Sequence, residues 1–238
     1  AGFAVSPRLA GLIEGDQERL GKFAATAAYF MPEGVPLAAG QILRNPAYAD
    51  TLRMLSGDAA SFYLGANAQE MVSAVNDAMD GAGLLSTVDL SIYRVKERAA
   101  VCAPYRGHDV CGMGPPSSGA VAVGQILGLL EGHDLSAGPQ DAGVRRLMGD
   151  AARLAFADRG RYLADSDYVP VPVTGLLDPA YLAERAKLLN GDVALDDIAP
   201  GNPAFDHALL WADDMSIELP STSHISIVDS AGNVASMT

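Results

Sequence analysis

Ser221-Thr222-Ser223-His224 sets three hydroxyls and an imidazole side by side, where a stretch rich in Asp, Pro, Gly and Ala runs into an alternating segment. A hydroxyl at the start of a strand ordinarily caps a turn. The chemical alternative is specific. A threonine at a newly made chain terminus can use its own α-amino group as the general base for its Oγ. That amine has an unperturbed pKa of roughly 7.7–8.0, close to working pH, which suits proton transfer. To make such a terminus, the Thr222 hydroxyl would first attack the Ser221 carbonyl, and hydrolysis of the resulting ester would cut the chain.

Other chemistries lack their residues. The sequence has no Cys-x-x-Cys and no His-x-x-x-His, and His108, His133, His207 and His224 are widely separated. It also has no Gly-Lys-Ser/Thr phosphate loop and no Gly-x-Ser-x-Gly elbow. No metal and no cofactor is expected on this basis. The formal net charge is −13, and sixteen Lys and Arg are scattered among twenty-nine acids. Nucleic acid is therefore not an expected partner, since phosphate recognition needs clustered cations. The dispersed acids read as a solvated surface. The apolar run Val121 to Leu130 is broken by Gly and Gln and is too short to span a bilayer. No basic-apolar-small series opens the chain, so no signal peptide is apparent in it. Hydrophobic residues at 49% and charged residues at 19% fit a globular protein with a sizeable core.

The elements around the candidate nucleophile follow from local signals. Asn45-Pro46 reads as an N-cap and first helical residue, opening a helix to about Leu55. A second helix is expected from Ala66 to Met79, with Gly81 beyond it, and Ser86-Thr-Val-Asp89 resembles a capping arrangement for a short helix ending near Tyr93. Gly114-Pro-Pro-Ser-Ser-Gly119 turns into a buried helix over Val121–Leu130, with Ser117 or Ser118 as its cap. Leu147, Met148, Ala151, Leu154 and Ala155 form the apolar stripe of another helix, and Asp178-Pro179 opens one that stops near Asn190-Gly191. Residues 191–221 read as a long, exposed connector. His224-Ile-Ser-Ile-Val-Asp229, a Ser-Ala-Gly-Asn turn and Val234-Ala-Ser-Met237 then read as strand, turn and strand.

Cys102 and Cys111 flank Ala-Pro-Tyr-Arg-Gly-His-Asp-Val. If Arg106-Gly107 is a two-residue hairpin loop, Tyr105 pairs with His108, Pro104 with Asp109 and Cys102 with Cys111. The cysteines then oppose each other at a non-hydrogen-bonded pair, about 4.5 Å apart at Cα. This register allows a disulfide, and it equally allows two half-buried free thiols.

Thr222-Ser-His-Ile-Ser-Ile-Val-Asp-Ser-Ala-Gly-Asn-Val-Ala-Ser-Met-Thr238 resembles the start of the small subunit in the gamma-glutamyltransferase family, whose pattern is Thr-Thr-His-x-Ser-x-Val-Asp-x-x-Gly-Asn. Three further segments agree in the same order: Pro104-Tyr-Arg-Gly107, Met113-Gly-Pro-Pro-Ser-Ser-Gly119, and Ala155-Phe-Ala-Asp-Arg159 with Tyr162-Leu163. The resemblance covers essentially the whole chain. It implies an α+β chain forming part of a four-layer αββα N-terminal-nucleophile hydrolase. Residues 1–221 would be the C-terminal part of the large-subunit region, with 191–221 leading to the processing site, and 222–238 the start of the small-subunit region.

The same resemblance makes Ser221–Thr222 the cleavage site and Thr222 the nucleophile, with Ser223 as an assisting hydroxyl. The activity implied is transfer of a gamma-glutamyl group from glutathione-type amides to water or an amino acceptor, in a periplasmic or secreted protein. The partners implied are that donor and acceptor and the remainder of the same polypeptide. A cephalosporin (glutaryl) acylase shares the fold and nucleophile, and a scaffold role for the fragment alone is the third alternative. By family pattern, the oxyanion glycines and the clamps for the glutamyl α-amino group fall beyond Thr238. The α-carboxylate arginine falls before Ala1, and Arg106 and Arg159 read as structural. Ser223 stands in place of the second threonine, and Gly114 and Ala120 replace one proline and one glycine of the proline run, which alters the wall that run helps to build.

Overall fold

The computed structural model describes residues 2–78, 83–205, 212–215 and 222–238. The chain divides into two compact units, Ala1–Val95 and Lys96–Thr238.

In the first unit a short antiparallel pair, β1 (Phe3–Ala4) with β2 (Ile42–Leu43), brackets the helices α1 (Pro7–Gly15), α2 (Gln17–Gly21) and α3 (Ala24–Phe30). Helix α4 (Pro46–Gly57) leads to α5 (Ser61–Leu64), α6 (Ala66–Asn76) and α7 (Thr87–Ile92). Polar caps set these starts. Ser6 Oγ accepts the Leu9 N–H ahead of Pro7, and Asn45 Oδ1 accepts the Tyr48 N–H ahead of Pro46. Ser86 and Asp89 complete a reciprocal capping box. Because that box uses the Asp89 carboxylate as an acceptor, the carboxyl is held below its usual range. Helix α6 ends at Asn76, earlier than the expected Met79. Met79 and Gly81 lie outside the described residues.

The second unit opens with the hairpin β3 (Val101–Tyr105) and β4 (His108–Gly112), in the register read from the sequence: Cys102 opposite Cys111, Pro104 opposite Asp109, Tyr105 opposite His108. Arg106 and Gly107 both have positive φ (47° and 81°), as a two-residue hairpin turn matched to strand twist demands. Helix α8 (Gly119–Leu130) packs against β3, against α9 (Ala142–Tyr162) and against α11 (Pro179–Ala186), which is preceded by the single turn α10 (Val173–Leu176) and followed by a 3-10 turn, Lys187–Asn190. The core is two adjoining clusters, one of Leu129, Leu130, Ala151, Leu154, Leu182 and Leu189, the other of Val121, Tyr162 and Leu176. The last elements, β5 (Ile225–Val228) and β6 (Val234–Met237), form an antiparallel pair. With helices and short antiparallel pairs, the chain is α+β.

One expectation is corrected here and one is refined. Met148 was placed in the buried stripe of α9, but it is 48% exposed. The buried positions beside Leu154 and Ala155 are instead taken by Asp150 and Asp158, at 2% and 0%. Residues 191–205 are coil and mostly exposed, as expected, but they are not loose, and 206–211 and 216–221 of the expected connector lie outside the described residues. Leu195 and Ile198 pack on the first core cluster and Pro203 is buried. The chain passes so close to α10 that a Cβ added at Gly175 would lie 2.3 Å from the carbonyl oxygen of Ala204. That oxygen is backbone and cannot swing aside. Gly175→Ala is expected to cost about 1–3 kcal/mol by overpacking, read as a lowered Tm. An unchanged Tm would show that this passage is not tightly packed.

Candidate active site

Thr222 and Ser223 lie in exposed coil that enters β5 directly, and Ser221 lies outside the described residues. What positions this entry is the hairpin itself. Its turn is closed by Asp229, whose carboxylate accepts the backbone N–H of Ala231 (2.9 Å) and of Asn233 (2.8 Å) and the Asn233 side-chain amide (2.8 Å). Those donors, the Asn233 side chain foremost, hold the Asp229 carboxyl below its ordinary range. Gly232 takes φ 85°, the left-handed conformation this turn needs and glycine adopts without steric cost. Asp229, Gly232 and Asn233 of the Val-Asp-x-x-Gly-Asn pattern are thus the residues that shape the turn.

At the open end of the hairpin, His224 bridges the two strands. Its Nδ1 lies 2.6 Å from Thr238 Oγ1, and its Nε2 lies 3.0 Å from Ser226 Oγ and 3.3 Å from Ser236 Oγ. Both ring nitrogens are therefore engaged by hydroxyls across the strand pair, two residues from Thr222. This cluster, His224 with Ser226, Ser236 and Thr238, did not emerge from sequence reasoning. The signal was present, because alternation puts Ser226 and Ser236 on one face and the register makes them partners. The opposite face, Ile225, Ile227, Ala235 and Met237, is apolar and solvent-exposed among the described residues.

The other three motifs meet around α8. Arg106 lies over the Tyr105 ring at 5.1 Å and its Nη2 donates to the His133 carbonyl at 3.0 Å, fixing the β3–β4 turn to the end of α8. Arg159 Nε donates to Ser118 Oγ at 3.0 Å, tying α9 to the Pro-Pro-Ser-Ser loop. Ser118 is the N-cap residue of α8, but its side chain makes no capping bond to the helix. Gly114 lies close under β3, since a Cβ there would come 2.6 Å from Val101 Cγ2 and that side chain would have to turn. Both arginines thus tie neighbouring elements together, in keeping with their reading as structural residues. Cys102 and Cys111, on the exposed face of the hairpin, are joined as a disulfide with Cα atoms 4.0 Å apart.

Beneath these ties runs a buried ionic network that the sequence reading missed. The Asp158 carboxylate accepts from Gln125 Nε2 (2.9 Å), Tyr181 Oη (2.6 Å) and the Gly201 N–H (2.7 Å), and pairs with Arg185 Nη2 at 2.9 Å. Arg185 also donates to the carbonyls of Leu154 and Ala199. Burial and the neighbouring carboxylate push the Tyr181 phenol far above its usual range, so it stays protonated and donates. Two turns earlier on the same face, Asp150 accepts the Leu195 N–H and pairs with Arg146 and Arg153. Helix α9 therefore holds the 195–201 backbone as a rack holds a rod.

A cavity of about 530 Å³ lies between the β3–β4 turn, α8 and α11. It is lined by Tyr105, Arg106, Gly128, Glu131, Leu182 and Lys187 among others, and by no residue of 222–238. No cluster able to hold a metal ion occurs among the described residues, and no helix of theirs is long and apolar enough to cross a membrane.

These features place the chain among known proteins. The gamma-glutamyltranspeptidase family profile matches residues 1–238. The acylase ACY 1 proenzyme of Pseudomonas sp. (strain V22) is 34% identical over 242 residues, covering all of this chain and 40% of that protein. The glutathione hydrolase proenzyme of Escherichia coli (strain K12) is 33% identical over 215 residues, covering 89% and 35%. Among solved structures, the Helicobacter pylori gamma-glutamyltranspeptidase superposes with a TM-score of 0.77 at 32% identity, over 84% of this chain and 58% of that one. The chain belongs to the gamma-glutamyltranspeptidase family, and its fold is part of the αββα N-terminal-nucleophile hydrolase fold. It spans about 40% of the length of the first of these relatives.

Proposed function

We propose that the full-length protein is an amidase that transfers or hydrolyses gamma-glutamyl groups of glutathione-type donors, using Thr222 after self-cleavage at Ser221–Thr222. The observation that carries this reading is the junction itself, an exposed hydroxyl in coil directly ahead of a strand whose turn is fixed by Asp229, Gly232 and Asn233, in a chain of this family. The chemistry balances within the chain. Thr222 Oγ adds to the Ser221 carbonyl carbon as its proton passes to the departing Thr222 nitrogen. The C–N bond breaks as the ester forms, and water then releases the Ser221 carboxylate and restores the hydroxyl. The freed amine becomes the base for the next attack, on substrate, with the Ser223 hydroxyl assisting. The reaction needs no cofactor. The partners are the amide donor, an amino acceptor or water, and the rest of the polypeptide, in the periplasm or outside the cell. Intact-mass measurement and N-terminal sequencing of the full-length protein are expected to show two chains, the second starting at Thr222. A single uncut chain with full amidase activity would overturn the assignment.

The identity to an acylase proenzyme over the whole of this chain favours a second reading, a glutaryl-type acylase with the same nucleophile. The two differ in one group, the α-amino group of the donor's acyl part. A chromogenic gamma-glutamyl amide and its glutaryl counterpart, assayed side by side, separate them.

A further inference from the structure

Resting on the self-cleavage reading above, we propose that Arg161 and Asp213 form a processing clip, a positioning pair that sets the origin of the chain leading to Thr222 and acts on cutting but not on turnover. Arg161 sits in the last turn of α9, and its guanidinium meets the Asp213 carboxylate with two nitrogens on two oxygens, Nη2 to Oδ2 at 3.0 Å and Nε to Oδ1. Paired contact of this kind fixes orientation as well as distance. The next residue adds a backbone bond, for the Asp214 N–H donates to the Gly160 carbonyl at 2.8 Å. That carbonyl is one of the last four of α9, which have no partner within the helix. One residue thus satisfies the helix end while its neighbour locks onto the helix side chain. Upstream, the rack of Asp150 and Asp158 holds the same strand of chain at Leu195 and Gly201.

Chain geometry gives the clip its meaning. The eight residues from Asp214 to Thr222 span at most about 26–29 Å fully extended, so fixing Asp214 bounds where the scissile bond can lie. Intramolecular attack requires the reacting atoms within about 3–3.5 Å and aligned, and its rate rests on how much freedom has been removed beforehand. Once the bond is cut, Ser221 is a free chain end and no longer tethers the nucleophile. The clip then has no further hold on Thr222.

The test compares processing with turnover in the full-length protein, using Arg161→Glu, Asp213→Asn, the swap Arg161→Glu/Asp213→Arg, and Thr222→Ala. Arg161→Glu sets like charges against each other and is expected to slow precursor cleavage on the order of tenfold, and Asp213→Asn roughly two- to fivefold, scaled from exposed ion pairs. The swap is expected to restore cleavage to within about twofold of the parental rate. The kcat/KM of the matured enzyme, measured after cutting is complete, should be the same in all three. Parental cleavage rates in Arg161→Glu and Asp213→Asn, no rescue by the swap, or a parallel fall in mature kcat/KM would each overturn the clip. If Arg161→Glu fails to fold, Asp213→Asn and the swap decide it. A parental protein that never cuts, or a Thr222→Ala protein that still does, instead refutes the self-cleavage reading, and the clip falls with it.

Discussion

Thr222→Ala in the full-length protein is expected to give one uncut chain with no turnover of a chromogenic gamma-glutamyl amide. Under the proposed self-cleavage, the substitution removes two events at once. The first is attack on the Ser221 carbonyl, which needs the hydroxyl alone, because the Thr222 nitrogen is then still part of a peptide bond. The second is attack on substrate, which needs the hydroxyl and the freed amine together. Losing a positioned base alone typically costs about 10²–10⁴ in rate, so losing nucleophile and base leaves an effect no assay would miss. Thr222→Ser is the informative companion. It keeps the oxygen and loses the methyl that restrains χ1, so it should cut and turn over, each more slowly. A Thr222→Ala protein hydrolysing the amide at near the parental rate would mean that Thr222 is not the nucleophile.

How far this site was legible in the sequence depends on the kind of signal each residue carried. Local ones were clear. Asn45-Pro46, Ser86 with Asp89, and Asp178-Pro179 each announced a helix start, and each cap is made as read. The same cap-then-proline signal stands at Ser6-Pro7 and opens α1. The β3–β4 register followed from a single two-residue loop, since fixing one pair of a hairpin fixes all of them. What stayed hidden was long-range. Apart from its helical spacing, nothing in the local pattern around Asp158 distinguishes a surface aspartate from one that is wholly buried, because its partners stand up to 43 residues away in sequence. The composition of 191–205, rich in Asp, Pro, Gly and Ala, likewise reads as loop, and by backbone conformation it is one. It is held by contacts with carboxylates on α9 and by packing of Leu195 and Ile198, neither of which composition reports. The apolar stripe gave a partial hint. Extending Leu147, Leu154 and Ala155 by helical spacing lands on Asp150 and Asp158, polar residues at core positions, and such residues stay buried only when paired.

Asp158→Ala is accordingly expected to be the most damaging substitution outside the junction, with a loss of about 3–5 kcal/mol, the cost of stripping the partner from a buried charge. The carboxylate is wholly inaccessible and the Arg185 side chain only 8% exposed, so solvent cannot replace what is lost. Arg185 already has one nitrogen, Nε, without a hydrogen-bond partner, so the carboxylate and the carbonyls of Leu154 and Ala199 carry its satisfaction. Removing Asp158 also orphans the part-buried Gly201 N–H and Tyr181 hydroxyl and one bond of the buried Gln125, each with a desolvation cost of its own. Asp158→Asn separates charge from shape. It keeps one acceptor oxygen, for Gly201 on one side or for Tyr181 and Gln125 on the other, and leaves Arg185 unneutralised, so it should fall between the parent and the alanine variant. Hydrogen exchange gives the decisive reading. If the Gly201 amide loses protection in Asp158→Ala while the middle of α8 keeps its own, the carboxylate is what holds the connector to α9. If Gly201 exchanges as slowly as in the parent, the connector is held by packing alone, and the network merely occupies the space beneath it.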